Sequence, residues 1–318
     1  MSGAEVPNRL VVMAAYDPDG ELAAHVRFQL EAWQGQCRRL IFVTTNQLTP
    51  SARDWLDGRA ELIERDNVGY DFYSYRTGLL AAGDLTAFDQ VVICNDTYVG
   101  PLRGFAEIFH AMEEAGYDFW GITTSRELKT HVQSFFVVFS ASVVAADAFV
   151  AFWQDLTPLS DRRAVVRRYE VGLSRKLKAA GFRFGAYFRS HPGEWRRARA
   201  RVVWWALHRT DVPPGLVARW KKRRDYAGAA PNPMITMADA ALDGARLPVV
   251  KIEALRHDPY GLGAARLLAE AERLYPQAFA GVAGYLARTA PHYQRRPSMV
   301  SGTPTLLLRP VGRLLRYR

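Results

Sequence analysis

The fold of this chain is decided by the stretch Val91-Val92-Ile93-Cys94-Asn95-Asp96-Thr97-Tyr98-Val99-Gly100-Pro101-Leu102. Its first four residues are apolar, mostly β-branched side chains of the kind that fill a buried strand. The strand then ends on an amide and a carboxylate, Asn95 and Asp96. In open α/β sheets ligands bind at the carboxyl ends of strands, and a carboxylate there can hold a divalent cation that holds a diphosphate. The alternative is an Asx turn that caps the exit of the strand.

The sequence around this strand alternates between strand-like and helix-like patterns. Helical spacing of apolar residues occurs in segments 21–33, 72–82, 105–115 and 162–180. Short apolar runs that predict strands lie between them, at 9–16, 40–44, 60–64, 90–94 and 119–123. Strands that alternate with helices imply parallel βαβ units and therefore an α/β fold.

The composition is that of an ordinary globular protein. The chain has 318 residues, of which 49% are hydrophobic and 23% charged, enough for one large domain or two smaller ones. Cys37 and Cys94 are far apart, which argues against a disulfide framework and fits a reducing cytoplasm. The first residues lack the pattern of a signal peptide. The apolar segment 135–153 contains Asp147, so a buried strand (135–139) and a core helix (142–153) are expected rather than a membrane span.

A basic, tryptophan-containing segment lies at 194–224, within a chain whose net charge is +10. Only Glu194 and Asp211 oppose its basic side chains, and such a stretch seeks phosphates of nucleic acid, anionic lipid or a phosphorylated substrate. The motifs Pro213-Pro214-Gly215 and Pro231-Asn232-Pro233 bracket a basic section that is expected to be loosely organised. Residues 1–230 are predicted to form the main domain. Residues 231–318 add helices at 264–275 and 276–287, with a Pro/Arg-rich tail expected to be poorly ordered.

A second group of candidate residues follows the strand at 60–64. Asn67 and Gly69 predict a turn, because glycine accepts positive φ, and Asp71 is expected to cap the next helix. This is either a well-capped helix or a site where helix-start amides and Arg76 face a diphosphate. Three neighbouring aromatic residues can flank a sugar or a base, namely Phe72, Tyr73 and Tyr75.

Further candidates lie later in the chain. Glu170 is one position away from the apolar stripe of the helix at 162–180, so it is either a general base beside a cleft or a surface ion pair with Arg167. Lys251 ends a short apolar strand and is either a surface charge or a group that neutralises a leaving diphosphate. His257 can be a further metal ligand, although a lone histidine usually is not one. Motifs of P-loop NTPases, zinc proteases and α/β-hydrolases are absent.

Several ordered motifs between about residues 9 and 260 resemble the rhamnan synthesis protein F family. They are Asn67-Val68-Gly69-Tyr70-Asp71-Phe72-Tyr73-Ser74-Tyr75, the Asn95–Leu102 part of the stretch quoted above, Asp118-Phe119-Trp120-Gly121-Ile122-Thr123, His131-Val132-Gln133-Ser134-Phe135-Phe136 and Tyr169-Glu170-Val171-Gly172-Leu173-Ser174. Members resemble glycosyltransferases of the GT-A fold, which use nucleotide sugars. The resemblance implies a Rossmann-type, mostly parallel sheet flanked by helices, with a helical C-terminal extension.

The resemblance also implies roles for individual residues. Asn95-Asp96 takes the place of the acidic DxD motif without its first acid, which leaves dependence on Mg²⁺ or Mn²⁺ open. Glu170 takes the place of the catalytic base. Donor contacts are implied for Ala15 and Tyr16 at the end of the first strand. The remaining donor-binding residues are Asn67, Gly69, Asp71, Arg76, Asn95 and Lys251, and the candidate metal ligands are Asp96 and His257.

The implied activity is an inverting transfer of a deoxysugar, suggested by the family name to be rhamnose from dTDP-L-rhamnose, to a lipid-linked glycan. Such a protein is expected in the cytoplasm, peripheral to the inner face of the cell membrane, with the basic segment on anionic lipid. Its tryptophans pack either at that interface or into the core; they are Trp195, Trp204, Trp205 and Trp220. Nucleic acid is not an expected partner, but a nucleic-acid-binding protein is the alternative hypothesis, followed by a non-catalytic scaffold that binds nucleotide sugars.

Overall fold

A seven-stranded sheet forms the centre of the computed structural model, which describes residues 6–209, 212–293 and 309–317. The strands of the described chain are β1 (Arg9–Ala15), β2 (Arg39–Thr44), β3 (Glu61–Glu64), β4 (Gln90–Asn95), β5 (Tyr98–Val99), β6 (Phe119–Gly121), β7 (Thr124–Ser125), β8 (His131–Val132), β9 (Phe136–Ser140), β10 (Phe184–Ala186) and β11 (Val250–Lys251). The central sheet has the order β10-β6-β9-β4-β1-β2-β3. Two small pairs, β5 with β11 and β7 with β8, lie outside it.

The central sheet is mostly parallel, as the alternating pattern predicts, but β9 runs antiparallel to both of its neighbours, β4 and β6. The predicted mostly parallel sheet is therefore confirmed, with β9 as its antiparallel strand. A parallel connection needs a crossover of about a dozen residues, usually a helix. The short connection between β6 and β9 holds only the β7–β8 pair and no helix, so the chain turns back instead.

Helices cover the sheet. Those of the described chain are α1 (Ala24–Trp33), α2 (Pro50–Leu56), α3 (Tyr70–Ala82), α4 (Phe105–Ala115), α5 (Ala141–Val144), α6 (Asp147–Gln154), α7 (Arg162–Val165), α8 (Val171–Ala179), α9 (Pro192–His208), α10 (Leu216–Gly228), α11 (Pro233–Thr236), α12 (Ile252–His257), α13 (Ala264–Leu274), α14 (Pro276–Phe279), α15 (Val282–Thr289) and α16 (Arg309–Leu315). The predicted helix at 162–180 is interrupted by a π-helical segment, Val166–Glu170, in which the Val171 N–H donates to the Val166 carbonyl. The predicted helix at 142–153 is two helices, α5 and α6.

The expectation of a loosely organised basic section was wrong. Residues 192–208 and 216–228 form two helices, α9 and α10, that pack together as a hairpin. His191 and Glu194 make reciprocal capping bonds at the start of α9, and Pro192 occupies its first position, where a missing N–H costs nothing. The tail predicted to be poorly ordered lies mostly outside the described residues, as does Asp211.

The sheet has a hydrophobic core on each face. Alternate residues of β1 point to opposite sides, so Val11 and Met13 join one core while Leu10 and Val12 join the other. The first core also includes residues after position 230, such as Phe279. The C-terminal part thus packs directly on the sheet, and the boundary at residue 230 stays a prediction. In the described ranges no helix is long and apolar enough to cross a membrane.

Candidate active site

The carboxylate of Asp96 lies where β1 and β4 end side by side. Its Oδ2 accepts the Tyr16 N–H at 2.8 Å, and its own N–H donates to the Ala14 carbonyl at 3.1 Å. Burial raises the pKa of Asp96 to about 7; the Tyr16 N–H opposes this, and the nearby charge of Asp71 adds to it. The structure thus brings Ala15, Tyr16 and Asp96 together at the predicted edge of the sheet.

Asn95 has two roles at once. Its Oδ1 accepts the Thr97 N–H at 3.2 Å, which is the Asx turn that the sequence left open. Its Nδ2 donates to Oδ2 of Asp71 at 2.7 Å, so the same side chain fixes a second carboxylate beside Asp96. Asp71 is not the cap of α3, as expected from the sequence, because Gly69 occupies that position with φ of 73°. The side chain of Asp71 is instead available to the site.

Lys251 reaches this edge from the far end of the chain. β11 pairs antiparallel with β5, which places Lys251 opposite Tyr98 and lets its Nζ donate to Oγ1 of Thr97. Nζ also lies 4.5 Å from the centre of the Phe135 ring. Burial lowers the pKa of Lys251 to about 8, while the charges of Asp71, Glu253 and Glu170 act in the opposite direction. The lysine is therefore a buried cation within an acidic neighbourhood, not a surface charge.

Glu170 ends the π-helical segment before α8, a type of irregularity that is frequent at functional sites. Its Oε1 accepts the Ser134 N–H at 2.8 Å and lies 4.0 Å from Nε2 of His131. His131 is buried, and its Nδ1 lies 2.7 Å from the Lys129 carbonyl, so Nδ1 donates to that carbonyl and Nε2 faces the glutamate. Among the described ion pairs Glu170 is paired with His131 and not with Arg167, which was the alternative interpretation.

Residues 131–135 join the two halves of the site. Ser134 holds Glu170 through its N–H and accepts the hydroxyl of Tyr75 through its carbonyl, at 3.0 Å. Phe135 accepts the Asn95 N–H at 3.1 Å and offers its ring to Lys251. Glu170 and Lys251 consequently both contact one short segment, and they are close enough for their charges to interact.

Some predicted site residues lie elsewhere. Arg76 donates through Nε to the Trp153 carbonyl at 3.0 Å, and it stands five positions, or about 140° around the helix, from Asp71. Phe72 and Tyr75 are buried in the core beneath α3, so they do not flank a ligand as proposed. Asn67 is on the exposed loop before α3. His257 ends α12, and the described ranges contain no cluster of three or more His, Cys, Asp or Glu that could hold a metal ion.

The protein side chains of this site meet the ligand requirements of a divalent cation only in part. Asp96 and Asp71 supply two carboxylates whose charges repel each other, which a cation would relieve. Two carboxylates with the phosphates of a donor can satisfy Mg²⁺, which binds few protein ligands at such sites. The buried ammonium of Lys251 supplies positive charge at the same place. Metal dependence therefore stays open.

The structure also brings in residues that sequence reasoning missed. A small cavity of about 10 Å³ beside Ala15 and Asp96 is bordered by Tyr285 of α15. Arg288, on the same helix, binds Oδ2 of Asp17 at 2.5 Å and also contacts Asp19, which attaches α15 to the loop after β1. No local pattern marks these residues, because 271 positions separate Arg288 from Asp17. His131 and Ser134 lie in a quoted motif but were given no role.

The fold and this site define an α/β protein with an acidic, lysine-containing site at the carboxyl ends of its parallel strands. The chain belongs to the rhamnan synthesis protein F family, whose model matches residues 40–208.

The individual proteins that the chain resembles share modest sequence identity with it over part of its length. Over 179 residues the chain is 28% identical to the uncharacterized protein y4gN of Sinorhizobium fredii, covering 54% of this chain and 46% of that protein. It is 30% identical over 126 residues to the virulence protein VirA of Vibrio anguillarum, covering 38% and 40%. The chain thus spans less than half the length of these curated relatives.

Solved structures share the fold only loosely. A cytidylyltransferase from Leptospira borgpetersenii matches 62% of this chain and 87% of its own, with 12% identity and a TM-score of 0.35. The mannosyltransferase Ktr4p from S. cerevisiae matches 46% and 59%, with 7% identity and a TM-score of 0.29. Likeness at this level carries no functional argument.

Proposed function

We propose that the protein is a glycosyltransferase that binds a nucleotide sugar at the edge formed by β1 and β4. One observation carries the proposal: Lys251, the carboxylates of Asp71 and Asp96, and Glu170 are gathered around residues 131–135. A transfer reaction needs both parts, because a base must act on the acceptor while positive charge acts on the departing diphosphate.

The nucleotide end of the donor is assigned to Ala15 and Tyr16, next to Asp96. The diphosphate is assigned to the side of Lys251, whose ammonium can stabilise negative charge that develops on the leaving oxygen. When bound, Mg²⁺ or Mn²⁺ would be held by Asp96 and Asp71 and would neutralise part of the same charge. Asn95 keeps Asp71 in place through its hydrogen bond.

The transfer proceeds as an inverting displacement. Glu170 takes the proton of an acceptor hydroxyl, and the resulting oxygen attacks the anomeric carbon. The bond from that carbon to the diphosphate oxygen breaks, and the nucleoside diphosphate leaves with the electron pair. The buried imidazole of His131, 4.0 Å from Glu170, keeps the carboxylate oriented toward the cleft.

The family name supports a deoxysugar donor such as dTDP-L-rhamnose and a lipid-linked glycan as acceptor, and we include both in the proposal. The test is a thermal-shift screen of nucleotide sugars, with and without Mg²⁺ or Mn²⁺, followed by release of nucleoside diphosphate in the presence of a polyprenyl-diphosphate glycan. A shift specific to dTDP sugars, with release lost in Glu170→Gln, is the expected result. Binding of a nucleotide sugar without any turnover, equal in the Glu170→Gln variant, would support the scaffold alternative instead.

A further inference from the structure

Helix α10 has an apolar surface that the rest of the described chain leaves uncovered. None of its residues is buried, and Leu216, Val217 and Trp220 are 84%, 81% and 63% exposed. Leu216 and Val217 are the most exposed large hydrophobic residues of the described chain. Isolated apolar residues on a surface are normal, but three together on one helix indicate a binding surface.

The three residues share one side of the helix, because positions i, i+1 and i+4 fall within about 100° of each other. The printed contacts of α10 with the α9 part of the chain lie in its later turns, where the Tyr226 ring lies 5.5 Å from Trp205. Arg223 also donates to the Arg209 carbonyl. The apolar stripe lies in the first five residues of α10, ahead of these contacts.

The hairpin of α9 and α10 is firmly attached. Arg199 of α9 donates to the carbonyls of Ala229 and Ala227 at 2.6 and 2.9 Å, which fixes the end of α10. In α9 itself, the buried Arg201 binds both oxygens of Asp239 at 2.8 and 2.7 Å. The stripe is thus presented by a fixed element of the fold.

The tryptophans of the basic segment separate into two groups. Trp204 packs on His208, with ring centres 4.1 Å apart, and Trp205 lies between Tyr226 and Tyr260. Trp195 packs against the core. These three are partly buried against other rings or the core, which leaves Trp220 as the exposed one. We therefore place the candidate binding surface on α10.

Charge decides which partner suits this stripe. Helix α10 carries one acidic residue, Asp225, against five basic ones, Arg219, Lys221, Lys222, Arg223 and Arg224. Arg224 lies 5.2 Å from the Trp220 ring, next to the stripe. Nucleic acid would use the positive charge but has no use for exposed leucine and valine. An anionic bilayer uses both, because apolar residues enter the acyl boundary while Lys and Arg reach the headgroups.

We propose that α10 docks the protein on an anionic lipid bilayer by inserting Leu216, Val217 and Trp220 at the headgroup boundary. Docking can occur whether or not the protein transfers a sugar, but the benefit of docking rests on the proposed function. In that function the bilayer carries the lipid-linked acceptor to the docked enzyme.

The test is co-sedimentation of the full chain with vesicles of phosphatidylcholine, alone or mixed with phosphatidylglycerol. We expect binding to the anionic vesicles only, weakened by salt. Leu216→Ser with Trp220→Ser should reduce it by at least about tenfold, since each large side chain contributes more than 1.4 kcal/mol on burial. The matched control is Leu80→Ser, which removes an exposed leucine (51%) from α3.

The role of charge is tested with the double variant Lys221→Glu, Arg224→Glu in α10. The matched control is Arg175→Glu with Lys178→Glu on the exposed side of α8. The α10 pair should lose binding and the α8 pair should retain most of it. Circular dichroism confirms folding of every variant. Three results would overturn the proposal: no binding to anionic vesicles, equal loss in the controls, or tighter binding to a single-stranded oligonucleotide than to lipid at physiological salt. Because no sugar transfer is measured, failure here leaves the proposed function standing.

Discussion

Replacing Asp96 with asparagine is expected to stabilise the unliganded protein near neutral pH while it abolishes transfer. Burial raises the pKa of Asp96 from 3.8 to about 7, so the folded site holds a carboxylate that prefers to keep its proton. The Tyr16 N–H donates to Oδ2 of Asp96 at 2.8 Å, and an asparagine keeps an oxygen that can accept this hydrogen bond but carries no charge. The site thus holds a destabilising charge that the Tyr16 N–H and Lys251 compensate only in part.

The size of the effect follows from the change in pKa. A rise from 3.8 to about 7 corresponds to about 4 kcal/mol of unfavourable free energy once the carboxylate is fully ionised. Asp96 is partly exposed, and solvent screening reduces this figure, so we expect Asp96→Asn to gain about 2 kcal/mol. Between pH 4 and 7 the folded state binds more protons at Asp96 than the unfolded state, so the stability of the natural protein falls as the pH rises. The lowered pKa of Lys251 acts only above about pH 8.

The assay is urea unfolding at pH 5 and pH 7.5, with the same slope m required in both proteins. The stabilisation by Asp96→Asn should be less than half of its full value at pH 5 and approach the full value at pH 7.5. Asp54→Asn, on the exposed side of α2, is the control and should show no such dependence. An equal difference at both pH values, or a less stable Asp96→Asn protein at pH 7.5, would refute this account of the site.

Three further outcomes are expected. Transfer should decline as the pH rises through about 8, where Lys251 loses its proton, and Lys251→Arg should move this decline to higher pH in a rate profile; an unchanged profile would contradict the role. His131→Gln should lower kcat about tenfold with little change in the KM for the donor, because His131 orients Glu170 without touching the nucleotide. An effect confined to KM would exclude this orienting role of His131. Arg288→Met should lower the free energy of urea unfolding by about 2 kcal/mol, because it removes the ion pair that attaches α15 to Asp17. Arg273→Met, which removes an exposed ion pair, should lower it by almost nothing, and equal losses would argue against an anchor for α15.

Sequence reasoning was most successful where the relevant interactions are local. The strand at 90–94 and the helix at 105–115 are found within one residue of their predicted bounds. It failed at α10, where flanking prolines and basic residues suggested a loose section. The packing of Trp205 on Tyr226 stabilises this helix, and that contact does not follow from composition.

The candidate site shows the same division. That Asn95 and Asp96 end a buried strand could be read directly, because the pattern and the side chains are adjacent in the chain. Whether Asn95 forms a turn or supports a site could not be predicted, because it does both. It accepts the Thr97 N–H in the turn and donates to Asp71 in the site. The second contact depends on where α3 begins relative to β4.

The sequence by itself determined the class of fold, the strand that carries Asp96, and the family to which the chain belongs. Only the tertiary structure decided which candidates form one site: it brought Lys251 to Thr97 across 154 positions and directed Arg76 away. The physical reason is that pattern and spacing specify faces of single helices and strands. Contacts between distant elements depend on packing, strand pairing and burial, which also shift the pKa values of Asp96 and Lys251 toward neutrality.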